Sequence, residues 1–181
     1  MLLQGFSVPL KNKDLLFTTL GFYLEPGQNR MLQLAFRNHL YEEDEVNRAI
    51  DEAIRVTKAG GVMMFAFISV FAIMYANYFY GNWAAGQEEN FTDDYEVKHF
   101  KEQLFIGYDV TEFEELFQKK PVEWITTAGV DGLLEPIEKR SDFFLSDEDF
   151  KALAEWYLAF SEKRELLGNT NHLLYICRKQ K

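Results

Sequence analysis

His39, His99, His172 and Cys177 are the side chains of this 181-residue sequence with the clearest capacity for metal binding, proton transfer or nucleophilic attack. Their spacing argues against a metal. No two histidines stand three or four residues apart, as a helix needs to aim both at one ion, and no cysteine pair lies near them. One cysteine excludes an internal disulfide and a cysteine-rich metal site. Cys177 falls in an apolar, strand-like stretch, which suits an inert buried thiol. No G-x-S-x-G elbow and no G-x-x-x-x-G-K-S/T phosphate cradle occurs. The acidic run Glu42, Glu43, Asp44 and Glu45 reads as the solvated start of a helix. The largest remaining resource is aromatic: seventeen Phe and nine Tyr need a core or a binding cleft.

The elements that position these residues centre on Val46 to Ser69. Val46, Ala49, Ile50, Ala53 and Ile54 recur at the spacing of one helix face. Asp44 with Arg48, and Asp51 with Arg55, stand four apart, acid before base, as exposed helix pairs do. Gly60 and Gly61 suit the left-handed end of that helix. Val62 to Ile68 then runs apolar without alternation, as a strand covered on both faces does. A helix returning onto a buried strand is half of an α/β crossover unit. The apolar run continues to Tyr80, and a strand over 62–68 followed by a helix from Val70 to Tyr80 accounts for it without a membrane span.

Upstream, Leu15 to Leu24 and Met31 to Phe36 flank Pro26-Gly27, which predicts an antiparallel hairpin. Downstream, GNWAAGQEENFTDDYE reads as a loop. Thr111 with Glu114 reads as a capping box for a short helix that Lys119-Lys120-Pro121 ends. VEWITTAGVDGL predicts a strand entering a glycine-rich loop. Ser146 with Asp149 caps a helix over 147–164, with Phe150, Leu153, Ala154, Tyr157 and Leu158 as its buried stripe. His172 to Arg178 is the last strand. The absence of repeats and linkers predicts one domain over 1–181.

Two of these stretches resemble a family. RVTKAGGVMMFAFIS is similar to the helix-to-fifth-strand segment of S-adenosylmethionine-dependent methyltransferases with a Rossmann-like fold, with Ala59 in place of the usual proline. SEKRELLGNTNHLLYICRK resembles the tail of a bacterial small-molecule subgroup, which carries an N-H pair, here Asn171-His172, before its last strand. The resemblance runs from about His39 to Lys181. It implies an α/β fold: a partial Rossmann-like sheet, mostly parallel, with flanking helices, an N-terminal hairpin, and the last strand antiparallel between the two before it. It also implies S-adenosylmethionine as cofactor and a small-molecule methyl acceptor. His39 and Leu40 match the end of the family's "G-P-x-Y-H-L" and fall to the cofactor edge. Ser69, Tyr75, Asp131 and His172 fall to the substrate side, although Ser69 also suits a strand end and Tyr75 core or lid packing.

The chain departs from that family over residues 1–38, where no E/D-x-G-x-G-x-G turn occurs. Two function classes therefore stand side by side: a methyltransferase-like protein, and a non-catalytic oligomerisation or interaction module built on the same sheet. Membrane association is a third and weaker class. A net charge of −10 argues against nucleic acid as partner. The N-terminus lacks the basic start and apolar core of a secretory signal, so the cytoplasm is the expected compartment. LLFTTLGFYL has no charge and no proline, and an edge of that composition predicts a homodimer or a partner chain through residues 15–36.

Overall fold

A computed structural model of the chain describes residues 18–20, 31–35, 43–103, 106–132, 134–138 and 140–181. Its described strands are β1 (Thr18–Leu20), β2 (Met31–Ala35), β3 (Val62–Ser69), β4 (Gly107–Tyr108), β5 (Val122–Gly129) and β6 (His172–Lys179). The helices are α1 (Glu43–Val56), α2 (Val70–Phe79), α3 (Trp83–Asn90), α4 (Val110–Glu115), α5 (Leu134–Glu138), α6 (Asp147–Phe160) and α7 (Arg164–Leu167). One sheet runs β1-β2-β3-β6-β5, with β4 paired to the far end of β3. β2 and β4 lie parallel to β3, whereas β6 runs antiparallel to both β3 and β5. The class is α/β, and the last strand sits reversed between β3 and β5, in the manner the family resemblance implies. The hairpin expected near the N-terminus is present where it is described, with Thr18 opposite Ala35 and Leu20 opposite Gln33.

α1 forms on the face the periodicity predicts: Val46, Ala49, Ile50, Ala53 and Ile54 are its buried residues. Val46, Ile50, Ala53 and Ile54 meet Met63, Phe65 and Phe67 of β3, together with Phe113 and Phe117, in one apolar cluster. β3 is not equally covered on both faces. Its burial alternates strictly, sealed at Met63, Phe65, Phe67 and Ser69 and half-covered at the residues between. The acid–base pairs on α1 also differ from expectation. Arg55 pairs with Glu52 one turn away at 2.6 Å, and Asp51 instead takes Lys120 at 2.8 Å. The three-residue spacing lets Arg55 present its planar fork to both Glu52 oxygens.

The end of α1 is tied to the far end of β6. Lys179 donates its ammonium hydrogens to the carbonyls of Ile54 at 2.6 Å and Thr57 at 2.8 Å, satisfying groups that a helix terminus leaves open. Gly60 N–H donates to the Lys179 carbonyl, and Lys179 N–H to the Gly61 carbonyl, both at 2.9 Å. Of the two glycines, Gly60 takes the left-handed conformation, with φ 76°, and Gly61 does not.

Three further expectations are corrected. The capping box of α4 is Asp109 with Glu112, not Thr111 with Glu114: Asp109 Oδ1 accepts from Thr111 N–H and Glu112 N–H, and Glu112 reaches back to Asp109 N–H. The stretch after Tyr80 contains α3 rather than only loop. α6 stops at Phe160 and buries none of its residues, with Phe150 51% and Leu158 75% exposed. Its Ser146 cap forms as expected, Oγ accepting from Asp149 N–H at 3.1 Å. Helix periodicity states which residues share a face, and whether that face meets anything depends on the sheet beneath it. Among the described residues no helix is long and apolar enough to cross a membrane.

An added Cβ at Gly60 would meet nothing within 4 Å, so its backbone conformation alone makes glycine necessary there. Gly60→Val is expected to lower stability by about 1–3 kcal/mol, read as a shift of the denaturation midpoint at unchanged slope. An unchanged midpoint would show that the α1–β3 joint does not depend on this turn.

Candidate functional site

The carboxyl ends of β2, β3, β4 and β5 point to one edge of the sheet, because all four share one direction. In open α/β sheets that edge is where ligands sit. β3 passes directly into α2 there, and its last residues are flanked by β4 through the Ile68–Gly107 register and by β6 through the Ile68–His172 register. Gly107 makes this junction possible, since a Cβ would stand 2.7 Å from the Val70 Cα.

On the β6 side, Asp131 organises a dense polar knot. Its Oδ1 accepts from Thr170 Oγ1 at 2.8 Å, Asn171 N–H at 2.9 Å and His172 N–H at 3.0 Å. Its Oδ2 lies 2.5 Å from His172 Nδ1. Thr170 Oγ1 in turn accepts from Gly132 N–H at 3.0 Å and Val130 N–H at 3.2 Å. The loop after β5 and the loop before β6 are thereby clamped together. Burial pushes the Asp131 carboxyl up, but the hydrogen bonds from His172 and Thr170 and the charge on His172 outweigh it. The net value lies below the ordinary carboxylate range. A carboxylate on Nδ1 fixes the orientation of the His172 ring, whose side chain is 48% exposed at the edge.

On the β4 side lies an open cleft of about 640 Å³. Phe71 and Tyr75 of α2, Trp83 of α3, and Phe91 and Tyr95 of the following turn supply aromatic walls, and Glu96, Asp109 and Glu112 supply carboxylates. The 91–97 turn is closed by an antiparallel bridge between Phe91 and Val97 and by Tyr95 N–H donating to the Thr92 carbonyl. Glu112 Oε1 is held 2.6 Å from His99 Nε2, and the His99 ring packs on Tyr108 at 4.6 Å. Burial raises the Tyr108 hydroxyl far above its ordinary value, so it stays neutral.

The candidates read from the sequence separate at this edge. Tyr75 lines the cleft. Asp131 and His172 are brought into direct contact, but on the other flank of β3, so roughly two strand spacings, or about 10 Å, divide the backbone of His172 from that of β4, and Asp131 follows the next strand out. Ser69 is fully buried and caps α2, its Oγ accepting from Ala72 N–H at 3.4 Å. His39 and Leu40 lie outside the described residues. Sequence reasoning missed Trp83, Phe91, Tyr95, Asp109 and Glu112. The Asp109-x-x-Glu112 spacing carried the capping signal for the last two, whereas nothing in GNWAAGQEENFTDDYE says that its rings converge.

The described residues do not fit S-adenosylmethionine. The family holds it on a glycine-rich turn at the carboxyl end of a parallel strand. Here the strand beside β2 is β1, which runs antiparallel and so leaves the sheet at the opposite edge. Of the glycines with positive φ, Gly60 lies at that opposite edge, joined to β6, whereas Gly132 follows β5 but has the Tyr157 ring packed against it.

Because the native Asp131 carboxyl is depressed, its stabilisation is complete above the unfolded carboxylate value of about 4. It declines as pH falls from there through the lower folded value. Asp131→Asn is expected to flatten the acid limb of the stability–pH curve and to cost about 1–3 kcal/mol at neutral pH, measured by urea denaturation across pH 3–7. A variant with the parent's pH dependence would remove Asp131 from the clamp.

No protein-family model matches this chain, and no curated protein does. Among solved structures it is similar to an S-adenosylmethionine-dependent methyltransferase from Clostridium acetobutylicum ATCC 824, at TM-score 0.43 and 11% identity, over 88% of this chain and 62% of that one. It is also similar to PKMT2 from Rickettsia typhi in complex with AdoHcy, at TM-score 0.41 and 8% identity, over 88% of this chain and 38% of that one. The chain thus spans less than two thirds of the length of either.

Proposed function

We propose that this chain is a methyltransferase-like protein that binds a small molecule in the aromatic cleft beside the carboxyl end of β3. The observation that carries this reading is the position of the cleft, built by α2, α3 and the β4–α4 joint where an α/β sheet presents its ligands. A volume of about 640 Å³ lies in the range of small-molecule sites. The sequence resemblance from His39 to Lys181 and the reversed β6 support the family. Asp131, His172 and Tyr75 are the proposed substrate-side residues.

The second reading, a non-catalytic module, is favoured by the antiparallel β1, which stands where a cofactor-binding strand would run parallel. The two are separated by ligand binding. In calorimetry, S-adenosylmethionine and S-adenosylhomocysteine are expected to bind this chain no tighter than about millimolar. In ligand-observed NMR, members of a small-molecule set are expected to bind, and Trp83→Leu is expected to release them. Micromolar cofactor binding would show a cradle outside the described residues. Failure of every small molecule would leave the module reading in place.

A partner through residues 15–36 belongs to the same proposal. β1 is the outer described strand at one end of the sheet, and twofold pairing is the commonest way to cover an uncharged edge. Light scattering at several concentrations is expected to show a species larger than the monomer that Leu20→Lys dissociates. Dissociation by Leu158→Lys alone would move the interface to the exposed face of α6.

A further inference from the structure

We propose that the cleft takes an organic cation, a protonated amine or quaternary ammonium group, held against Tyr75, Trp83 and Tyr95 and balanced by Asp109. The inference rests on the reading of the cleft as a ligand site and names the class of ligand. Aromatic faces attract cations through their negative π surface, Trp most strongly, and their attraction grows as water is excluded. The cleft also has carboxylates and no Lys or Arg among its described lining residues. The nearby Lys98 ammonium is committed elsewhere, its Nζ donating to the Glu88 carbonyl at 2.8 Å, and the His99 ring sits on Glu112.

The carboxylates are not equivalent. Glu112 uses Oε1 for His99 and Oε2 for Asp109 N–H. Asp109 spends Oδ1 on the α4 cap, at 2.7 Å from Thr111 N–H, and its Oδ2 accepts from no described residue. A neutral apolar ligand would strip water from that oxygen without replacing it, and an anion would be repelled by it. A cation meets both demands.

The walls add an independent observation. Tyr95 is the one non-glycine among the described residues with positive φ, at 62°. A bulky residue is rare in that conformation and strained by it. Here the bonds of the turn to Thr92 hold it, and the strained residue stands on the cleft although it is 71% exposed. A turn needing only to close would carry glycine or asparagine at this position. The protein's net charge of −10 draws cations toward the surface as a whole.

The test is calorimetric titration of the full chain with choline and with 3,3-dimethylbutan-1-ol, its neutral carbon isostere. Choline is expected to bind about tenfold tighter than the isostere. Trp83→Leu and Asp109→Asn, the latter keeping a good helix cap, should each weaken choline about tenfold, while Trp156→Leu on α6 should not. Equal binding of the two ligands, both lost in Trp83→Leu, would overturn the cation while leaving the small-molecule cleft. Choline binding that survives both cleft variants would overturn the site, placing the cation on the acidic surface. Absence of binding by choline would also overturn the inference. The cleft itself falls only if the small-molecule set shows no binding sensitive to Trp83→Leu.

Discussion

The structure depends most on the pairing of β6 with β3. Seven residues of each strand are in register, from Val62 opposite Arg178 to Ile68 opposite His172. Two segments more than a hundred residues apart thereby become the centre of the sheet. An antiparallel strand between parallel neighbours has both ends occupied. At one end Lys179 closes the terminus of α1, and at the other His172 joins the Asp131 clamp. Each junction removes buried backbone groups from water and returns a hydrogen bond, so the strand is fixed along its length as well as across it.

Around that axis the aromatic residues divide by chemistry. On the sealed face Phe67 stacks on Phe113 at 3.9 Å and Phe117 on Tyr175 at 4.0 Å. Burial of the phenylalanines supplies apolar area without polar atoms that need partners. The rings at the carboxyl edge are largely Tyr and Trp, whose polar tips tolerate water. Trp83 meets Tyr78 edge-on at 6.1 Å, and Phe71 approaches Phe91 at 6.3 Å. The same composition therefore furnishes a dry core below β3 and a wet aromatic cleft beyond its end.

The two flanks of β3 are built by different means. The β6 flank is polar and cross-linked, with one carboxylate serving four donors on Thr170, Asn171 and His172. The β4 flank is a joint, where a two-residue strand, a glycine against a helix start and a capped short helix leave open space. Rigidity on one side and room on the other are what a binding edge needs, since a pocket needs fixed walls and an entrance.

The sequence by itself determined the elements whose formation is local. The α1 face, the strand after Gly61, the Ser146 cap and the reversed final strand were legible from periodicity, capping chemistry and resemblance. The composition also showed that the aromatic side chains would need a core or a cleft. It did not show which aromatic residues would share it. Trp83, Tyr95 and Asp109 are brought together by the α2–α3 turn and by β4 joining β3 at Ile68 and Ser69. Likewise, α6 has a regular apolar stripe and buries none of it, and Ser69 spends its hydroxyl on a helix end. Hydrogen bonds within a few residues follow from the chain order, so caps and helix faces can be read there. Convergence of distant side chains depends on strand register and crossing geometry, which the tertiary structure alone decides.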